Sequence, residues 1–225
     1  MFSIICSIYD ENKYNKILLP SLRRVIDFTN SMGYPPIQII NVSGTKSLCE
    51  NYNLGLAKAK YNINFFIHED VDVMDFNGAE SIFYKIVKIF SKDKDIGLIG
   101  LVGTKRSGKN LWWTEFGPDF IYGSMLTHKD KKLWKWNTDF EETQVEIADG
   151  FFMATNHKIL WNTDIKGFHF YDCDYCNKLR LEFNKKIMVI NHQAFHQSSE
   201  NWKTPEFFKL QEHYNNKWDL HLKTN

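Results

Sequence analysis

The chain has 225 residues and a formal net charge of +1, from 28 basic and 27 acidic residues. A charge this close to neutral argues against a nucleic-acid-binding protein, because no domain-wide positive field exists to attract phosphates. Hydrophobic residues make up 43% of the sequence, which is enough for the core of one large domain. We therefore expect a single domain over residues 1–225.

The start of the chain, MFSIICSIYDENKYNK, has no basic region before its apolar run, which argues against a signal peptide. No apolar stretch approaches the roughly 20 residues needed to span a bilayer. The four cysteines fit a reducing compartment. These features predict a cytoplasmic protein without a transmembrane segment, and they leave peripheral membrane contact and the oligomeric state open.

Apolar segments alternate with amphipathic helical segments through the first half of the chain. The predicted strands are 3–9, 37–42, 63–68 and 95–103. The predicted helices begin near Pro20, Thr45 and Gly78. This alternation is typical of right-handed βαβ crossovers and predicts an α/β fold with a mostly parallel, Rossmann-like central sheet flanked by helices. Ligands of such sheets bind beyond the carboxyl ends of the strands, so the loops there are expected at one edge.

The second half has a different character. Residues 104–144 are rich in aromatic residues and predict loops, and a strand is predicted at 145–155 with Asp149 and Gly150 at its centre. A turn entering a helix is predicted at 168–183, and a strand at 185–192. Thr204 as a cap and Pro205 at the first helical position predict a C-terminal helix. We expect residues 1–103 to form a nucleotide-binding half and residues 104–225 an acceptor half.

The segment FFIHEDVDV, residues 65–73, ends a predicted buried strand with four polar side chains. Mg²⁺ and Mn²⁺ prefer carboxylate oxygens, whereas a solvated turn is the commoner reason for a short acidic cluster. On an extended chain, Asp70 and Asp72 would share one face and Glu69 would point away from it. The position at the carboxyl end of a strand is what favours a metal site here.

Two later segments carry further candidates. His169, Asp172 and Asp174 lie at the entry of a predicted helix, where acids serve either as helix caps or as a general base. His192 and His196 follow a predicted strand. A lone histidine is more often structural than a ligand, although imidazole also suits Mn²⁺.

Six segments follow one another along nearly the whole chain: SIICSIYDEN, SLCENYNLGLAKAKYNINFFIHEDV, IGLIGLVG before a Trp-Trp pair, VEIADGFFMAT, FHFYDCDYCNKLR and VINHQAFHQS. In this order they resemble the family 2 glycosyltransferases of the GT-A fold, and among them the branch named for a streptomycin-biosynthesis-type glycosyltransferase-like domain. The resemblance implies a metal-dependent, inverting transfer of a sugar from a nucleotide-diphosphate-sugar to a hydroxyl acceptor. It also implies a role in the synthesis of a glycan or a surface polysaccharide.

The resemblance also implies site residues. The nucleotide-sugar site would comprise Tyr9, Asp10, Glu11, Asn41, Ser43, His68, Asp70, Asp149 and Gly150. Mn²⁺ or Mg²⁺ would be bound by Asp70 and by His196, with His192 as the alternative to His196, and His68 stands in the place of the first aspartate of the family's D-x-D motif. The resemblance leaves the role of Asp72 open, and its shared face with Asp70 makes it a further candidate metal ligand. The family's glutamate–aspartate pair falls on Tyr171 and Asp172, so Asp172 would be the catalytic base. The acceptor would contact Trp112, Trp113 and His169.

Two other functions are compatible with the same fold. The chain could be a non-catalytic relative that binds nucleotide-sugars, or a nucleotidyltransferase. A nucleotidyltransferase is expected to carry a glycine-rich basic loop directly after the first strand, but residues 9–16 contain Lys13 and Lys16 and no glycine. A binding-only relative would show no metal-dependent hydrolysis of a nucleotide-sugar.

Overall fold

The structure is a computed structural model that describes residues 1–45, 47–74, 81–108, 117–127, 132–197 and 204–222, the side chains of 219–222 excepted. The strands are β1 (Ser3–Ser7), β2 (Gln38–Val42), β3 (Asn64–His68), β4 (Val71–Asp72), β5 (Ile96–Gly100), β6 (Val102–Thr104), β7 (Ile121–Thr127), β8 (Leu133–Trp136), β9 (Glu142–Val145), β10 (Ile147–Ala148), β11 (Phe152–Thr155), β12 (Lys186–Ile190) and β13 (Ala194–His196). The helices are α1 (Glu11–Lys13), α2 (Leu19–Ser31), α3 (Leu48–Lys58), α4 (Ile82–Lys92), α5 (Tyr171–Asn177) and α6 (Pro205–Leu222). Among the described residues, no helix is both long and apolar enough to cross a membrane.

The central sheet has seven strands in the order β2-β1-β3-β11-β5-β12-β9. β1 pairs in parallel with β2 and β3, and β5 pairs in parallel with β12, whereas β11 and β9 run in the opposite direction. β1, β5 and most of β3 are buried on both faces, as their continuous apolar runs predict. The predicted mixed, mostly parallel sheet of the α/β class is confirmed.

A second sheet lies beside the first, with its strands in the order β10-β6-β7-β13-β4 and with β8 paired to β7. The chain passes from the central sheet to the second one at Leu101, between β5 and β6. It is back in the central sheet at β9, leaves again for β10, and returns at Asp149 and Gly150, between β10 and β11. The predictions of one strand at 95–103 and one at 145–155 are therefore wrong, because each segment is divided between two sheets.

The predicted loop region at 104–144 also needs correction, since it contains β7, β8 and the beginning of β9. β8 is mostly exposed and has the sequence LWKW, in which apolar and polar residues do not separate cleanly onto two faces. Its only pairing among the described residues is with β7. Exposed edge strands carry a weak hydrophobic signal, and this explains why the sequence pattern missed it.

Helix starts follow local chemistry. The Asp10 carboxylate caps α1 by accepting hydrogen bonds from the N–H groups of Asn12 and Lys13. The chain then makes a π-helical turn over Tyr14–Leu18 before α2 begins at Leu19. Pro20 lacks an N–H and cannot continue a regular hydrogen-bond pattern, which accounts for the irregular turn before it.

The C-terminal helix α6 packs against α5. Thr204 caps α6 by accepting a hydrogen bond from the N–H of Phe207 at 3.2 Å, as predicted for this position. Lys217 and Trp218 both donate to Asp174 Oδ1, at 2.7 and 2.8 Å. Asp174 therefore links α6 to α5.

Candidate metal centre

The loops that follow β1 and β3 meet at one edge of the central sheet. The Glu69 carboxylate accepts hydrogen bonds from the N–H groups of Tyr9 and Asp10, the second at 3.0 Å. This contact is expected from parallel strands, whose carboxyl ends lie side by side. Glu69 thus faces the loop after β1 and links the two loops together.

Three side chains of types that can bind a metal ion lie together at this edge: His68, Asp70 and His196. One ligand atom from each lies within 4.8 Å of the other two. His196 Nε2 is 3.4 Å from Asp70 Oδ1, and Lys13 Nζ is 3.5 Å from Asp70 Oδ2. Among the described residues, this is the one group of three or more such side chains close enough to share an ion.

Strand pairing brings these residues together across a long stretch of sequence. β13 pairs antiparallel with β4, which places His196 opposite Val71. The N–H of Gln197 donates to the backbone oxygen of Asp70 at 2.9 Å. The turn after β3 is therefore fixed to the strand that carries His196.

The electrostatics of the cluster favour metal-binding forms of the side chains. Burial by itself raises the pKa of Asp70, but the hydrogen bond from His196 and the nearby cationic groups outweigh it and lower that pKa to about 2. Burial, together with the charge of His196, lowers the pKa of His68 to about 4. Near neutral pH the carboxylate is ionised and the His68 imidazole is neutral, and these are the forms that bind divalent cations.

Asp72 does not join the cluster, although the sequence placed it among the metal ligands. Its strand partner is Phe195, the neighbour of His196, so the pleat puts Asp72 on the opposite face of the sheet. Its carboxylate accepts a hydrogen bond from Arg24 at 2.6 Å and one from the N–H of Met74 at 2.9 Å. The expectation of a shared face fails because residues 69 and 70 form a turn rather than an extended strand.

A second acidic pair, Asp149 and Asp172, lies next to the cluster. The Asp172 carboxylate is 5% exposed and accepts hydrogen bonds from the N–H groups of Gly150 and Cys173, at 3.1 and 2.9 Å. Burial, and then the charge of Asp149, raise the pKa of Asp172 to about 7. Burial also raises the pKa of Asp149, and the charge of His196 opposes that rise. Asp172 is therefore able to exchange a proton near neutral pH.

A family model described as the glycosyltransferase-like family matches residues 3–222. The chain belongs to the glycosyltransferase-like family. No curated protein matches its sequence. The streptomycin-type branch stays a prediction.

Solved structures resemble this glycosyltransferase-like protein in fold. GalNAc-T7 with UDP, GalNAc and Mn²⁺ has a TM-score of 0.56 and 9% identity, covering 99% of this chain and 49% of that chain. TarS residues 1–349 from S. aureus in complex with UDP has a TM-score of 0.53 and 11% identity, and the match covers 100% of this chain and 73% of that chain. A197 from STIV has a TM-score of 0.50 and 13% identity, and the match covers 88% of this chain and 86% of that chain. These neighbours place the chain in the GT-A fold.

The remaining nucleotide-sugar candidates of this glycosyltransferase-like protein lie at the same edge with different surroundings. The exposed Tyr9 ring packs edge-on against Phe168, with 4.6 Å between the ring centroids. The Asn41 amide donates to the Tyr14 hydroxyl at 2.8 Å. Glu11 and Ser43 are exposed; Glu11 begins α1, and Ser43 directly follows β2.

Of the three acceptor candidates, the structure describes only His169. Trp112 and Trp113 lie outside the described residues. His169 packs edge-on against Phe207 of α6, with 5.3 Å between the ring centroids, and burial lowers its pKa. His192 Nε2 lies 2.7 Å from the backbone oxygen of Val73, so of the two late histidines it is His196 that lies in the cluster.

The sequence did not point to Tyr171 as a site residue. Its hydroxyl lies 2.6 Å from His68 Nε2, and its side chain is buried. A Cβ atom at position 150 would overlap this hydroxyl, so Gly150 is needed for Tyr171 to fit. The one signal in the sequence is that Tyr171 occupies the place of the glutamate in the family's glutamate–aspartate pair.

Proposed function

We propose that this protein is a metal-dependent, inverting glycosyltransferase that moves a sugar from a nucleotide-diphosphate-sugar to a hydroxyl acceptor. The observation that carries the proposal is the His68–Asp70–His196 cluster at the carboxyl edge of the sheet. The family membership and the GT-A fold support the reaction class. The UDP in two of the similar structures, and the Mn²⁺ in one of them, support the donor class and the ion.

The donor set fits a divalent cation. It combines one ionised carboxylate with neutral imidazole, a set that suits Mn²⁺ and also admits Mg²⁺. Asp70 and His196 would hold the ion, which when bound neutralises charge that develops on the leaving diphosphate. The cluster with Lys13 carries about one negative and one positive charge, so a bound cation leaves it positive and attractive to a diphosphate.

Lys13 is the protein's own cation at this site. Its ammonium group lies 3.5 Å from Asp70 Oδ2 and is part-exposed at the start of the first helical segment. An ammonium there can contact a diphosphate oxygen while the ion is bound by Asp70. We therefore assign Lys13 to donor binding together with the loop of Tyr9 and Asp10.

Asp172 would act as the general base. A carboxylate with a pKa of about 7 is well matched to taking a proton from a hydroxyl near neutral pH. The deprotonated acceptor oxygen would attack the anomeric carbon on the face opposite the leaving group, which inverts that centre. Asp149 contributes the nearby charge that raises the pKa of Asp172.

The biological setting follows from the reaction class alone. A glycan or another hydroxyl compound would be the acceptor, with Trp112 and Trp113 near it, in the synthesis of a glycan or a surface polysaccharide. A cytoplasmic location, peripheral membrane contact and the division into a donor half and an acceptor half stay predictions.

The decisive experiment measures binding of UDP by calorimetry with and without Mn²⁺ for three proteins. The wild type should bind UDP more tightly when Mn²⁺ is present, and Asp70→Asn should lose that enhancement. Asp72→Asn is the matched control, because its carboxylate pairs with Arg24 on the other face of the sheet and should leave the enhancement intact. Equal Mn²⁺ dependence in Asp70→Asn would overturn the metal assignment.

Catalysis is tested separately by nucleotide release from a panel of nucleotide-sugars. A transferase should release the nucleotide slowly with Mn²⁺ and no acceptor, whereas a binding-only relative should bind the donor and release nothing. With an acceptor in hand, the anomeric configuration of the product by NMR tests inversion. Retention of the donor's configuration would contradict the proposed attack.

A further inference from the structure

We infer that His68 is a third ligand of the ion, binding through Nδ1, that the Tyr171 hydroxyl orients its ring for this role, and that the resulting site prefers Mn²⁺ to Mg²⁺. The inference rests on the proposed function, because it concerns the same ion. It extends that function by assigning one more ligand, a positioning residue outside the ligand set and the class of cation.

The first step is the hydrogen bond between His68 and Tyr171. Nε2 of His68 lies 2.6 Å from the Tyr171 hydroxyl oxygen, so this nitrogen already has a partner. A neutral imidazole carries one proton, on one of its two nitrogens. If Nε2 carries the proton and donates it to Tyr171, the lone pair of Nδ1 is left for the ion. Metal-binding histidines usually donate their second nitrogen to an outer partner in this way.

The second step is that Tyr171 is held firmly enough to orient a ring. Tyr171 is 3% exposed and packs against the rings of Tyr52 and Trp161, at centroid distances of 6.2 and 5.8 Å. Gly150 supplies the space that the hydroxyl occupies. These neighbours hold the buried phenol, and the His68 ring takes the orientation that brings Nε2 to its hydroxyl.

The third step concerns the cation. With His68 included, two of the three protein ligands are imidazole nitrogens and one is a carboxylate oxygen. Mg²⁺ prefers oxygen ligands and gives up its waters reluctantly, whereas Mn²⁺ accepts imidazole more readily. The donor set therefore favours Mn²⁺, and exchanging the His68 imidazole for a carboxylate should reduce that preference.

The first experiment titrates Mn²⁺ and Mg²⁺ separately into four proteins by calorimetry. The wild type should bind Mn²⁺ more tightly than Mg²⁺, and Tyr171→Phe should weaken Mn²⁺ binding about tenfold or more, which is the usual effect of losing an outer partner. His68→Asp should narrow the ratio of the Mn²⁺ to the Mg²⁺ affinity. Tyr175→Phe is the control, because Tyr175 is buried on the same helix and its hydroxyl donates to the Ile159 oxygen at 3.1 Å, so its Mn²⁺ affinity should equal that of the wild type.

The outcomes separate the inference from the proposed function. If Mn²⁺ neither binds the wild type nor tightens its binding of UDP, the metal-dependent function falls and this inference falls with it. If the wild type binds Mn²⁺ but Tyr171→Phe binds it equally well or more tightly, the inference alone is overturned, because the hydroxyl then contributes nothing or competes with the ion. An unchanged Mn²⁺ to Mg²⁺ ratio in His68→Asp would remove His68 from the ligand set.

A second experiment needs no ion and reads the wild-type protein directly. Long-range ¹H–¹⁵N NMR of ¹⁵N-histidine-labelled wild-type protein reports which nitrogen of each ring carries the proton, and the His68→Asp spectrum assigns the His68 signal. We expect His68 to be protonated on Nε2 at neutral pH. Protonation on Nδ1 would mean that the Tyr171 hydroxyl donates to Nε2, and it would contradict the inference.

Discussion

The two ends of the central sheet both bring charged groups together, but only the carboxyl end buries them. At the amino ends of β5 and β12, Lys186 Nζ lies 3.0 Å from Asp93 Oδ2, with side chains 42% and 38% exposed. At the carboxyl end, His196 and Asp70 lie at a similar distance, with side chains 14% and 11% exposed. Water screens the first pair, whereas the second pair must satisfy its charge within the protein.

This difference teaches that burial, rather than the density of charge in the sequence, distinguishes a candidate site from a solvated cluster. HEDVD (68–72) and KDKD (92–95) are both dense in charged residues, yet only the first contains a group whose pKa is moved to an extreme and a neutral buried imidazole. Three predictions test this comparison, from the largest expected effect to the smallest.

The largest effect is expected for Asp172→Asn at the carboxyl end. Loss of a general base typically lowers turnover by about 10²- to 10⁴-fold. Binding of the nucleotide-sugar should be retained, because Asp172 lies outside the metal cluster. Steady-state nucleotide release with acceptor measures the first quantity and calorimetry the second, with Asp72→Asn as the control. Turnover equal to that of the wild type would remove Asp172 from the role of base.

A moderate effect is expected in the pH dependence of stability. Burial and Asp149 raise the folded-state pKa of Asp172 from 3.8 to about 7. Between these two values the folded protein keeps a proton that the unfolded chain has released, so Asp172 makes the free energy of unfolding decrease as the pH rises through this window. Asp172→Asn removes this contribution, and the variant should gain stability relative to the wild type from about pH 4 to about pH 7.

Urea unfolding of both proteins across this window measures the difference. His68, with its pKa lowered to about 4, contributes the opposite slope between its folded value and its ordinary value of 6.5. Both proteins contain His68, so its contribution cancels when one is subtracted from the other. A difference in free energy that does not vary with pH would contradict the raised pKa.

The smallest effect is expected for Lys186→Ala at the amino end of the sheet. The ion pair with Asp93 is exposed, so its loss should leave both the melting temperature and the Mn²⁺ affinity unchanged within experimental error. Thermal unfolding and calorimetry provide the two measurements. A clear fall in Mn²⁺ affinity would show that the two ends of the sheet are coupled and that the comparison fails.

Much of the fold could be predicted from the sequence, because the decisive signals are local. β1 and β5 are continuous apolar runs, and α6 begins with a Thr cap followed by proline. The second sheet could not be predicted in the same way. β7 and β8 depend on partners elsewhere in the chain, and the change of sheet at Asp149 and Gly150 is not encoded in any short hydrophobic pattern.

The site residues likewise comprise some that the sequence identified and some that depend on contacts between distant parts of the chain. The position of Asp70 after a buried strand, and the resemblance for His196, identified the two residues whose side chains the structure brings together. Asp72 was placed with them by an alternation rule that holds on a strand and does not hold across a turn. Tyr171 was missed because its contact with His68 joins residues that are 103 positions apart.

The fit between Gly150 and Tyr171 has a consequence for related sequences. Any side chain at position 150 would occupy the volume of the tyrosine ring and hydroxyl, so a relative with a larger residue there must have a smaller one at position 171. Such a relative would lack the phenol that meets His68. Positions 68, 150 and 171 should therefore change together over evolution, and an alignment of relatives would reveal them as a co-varying triplet.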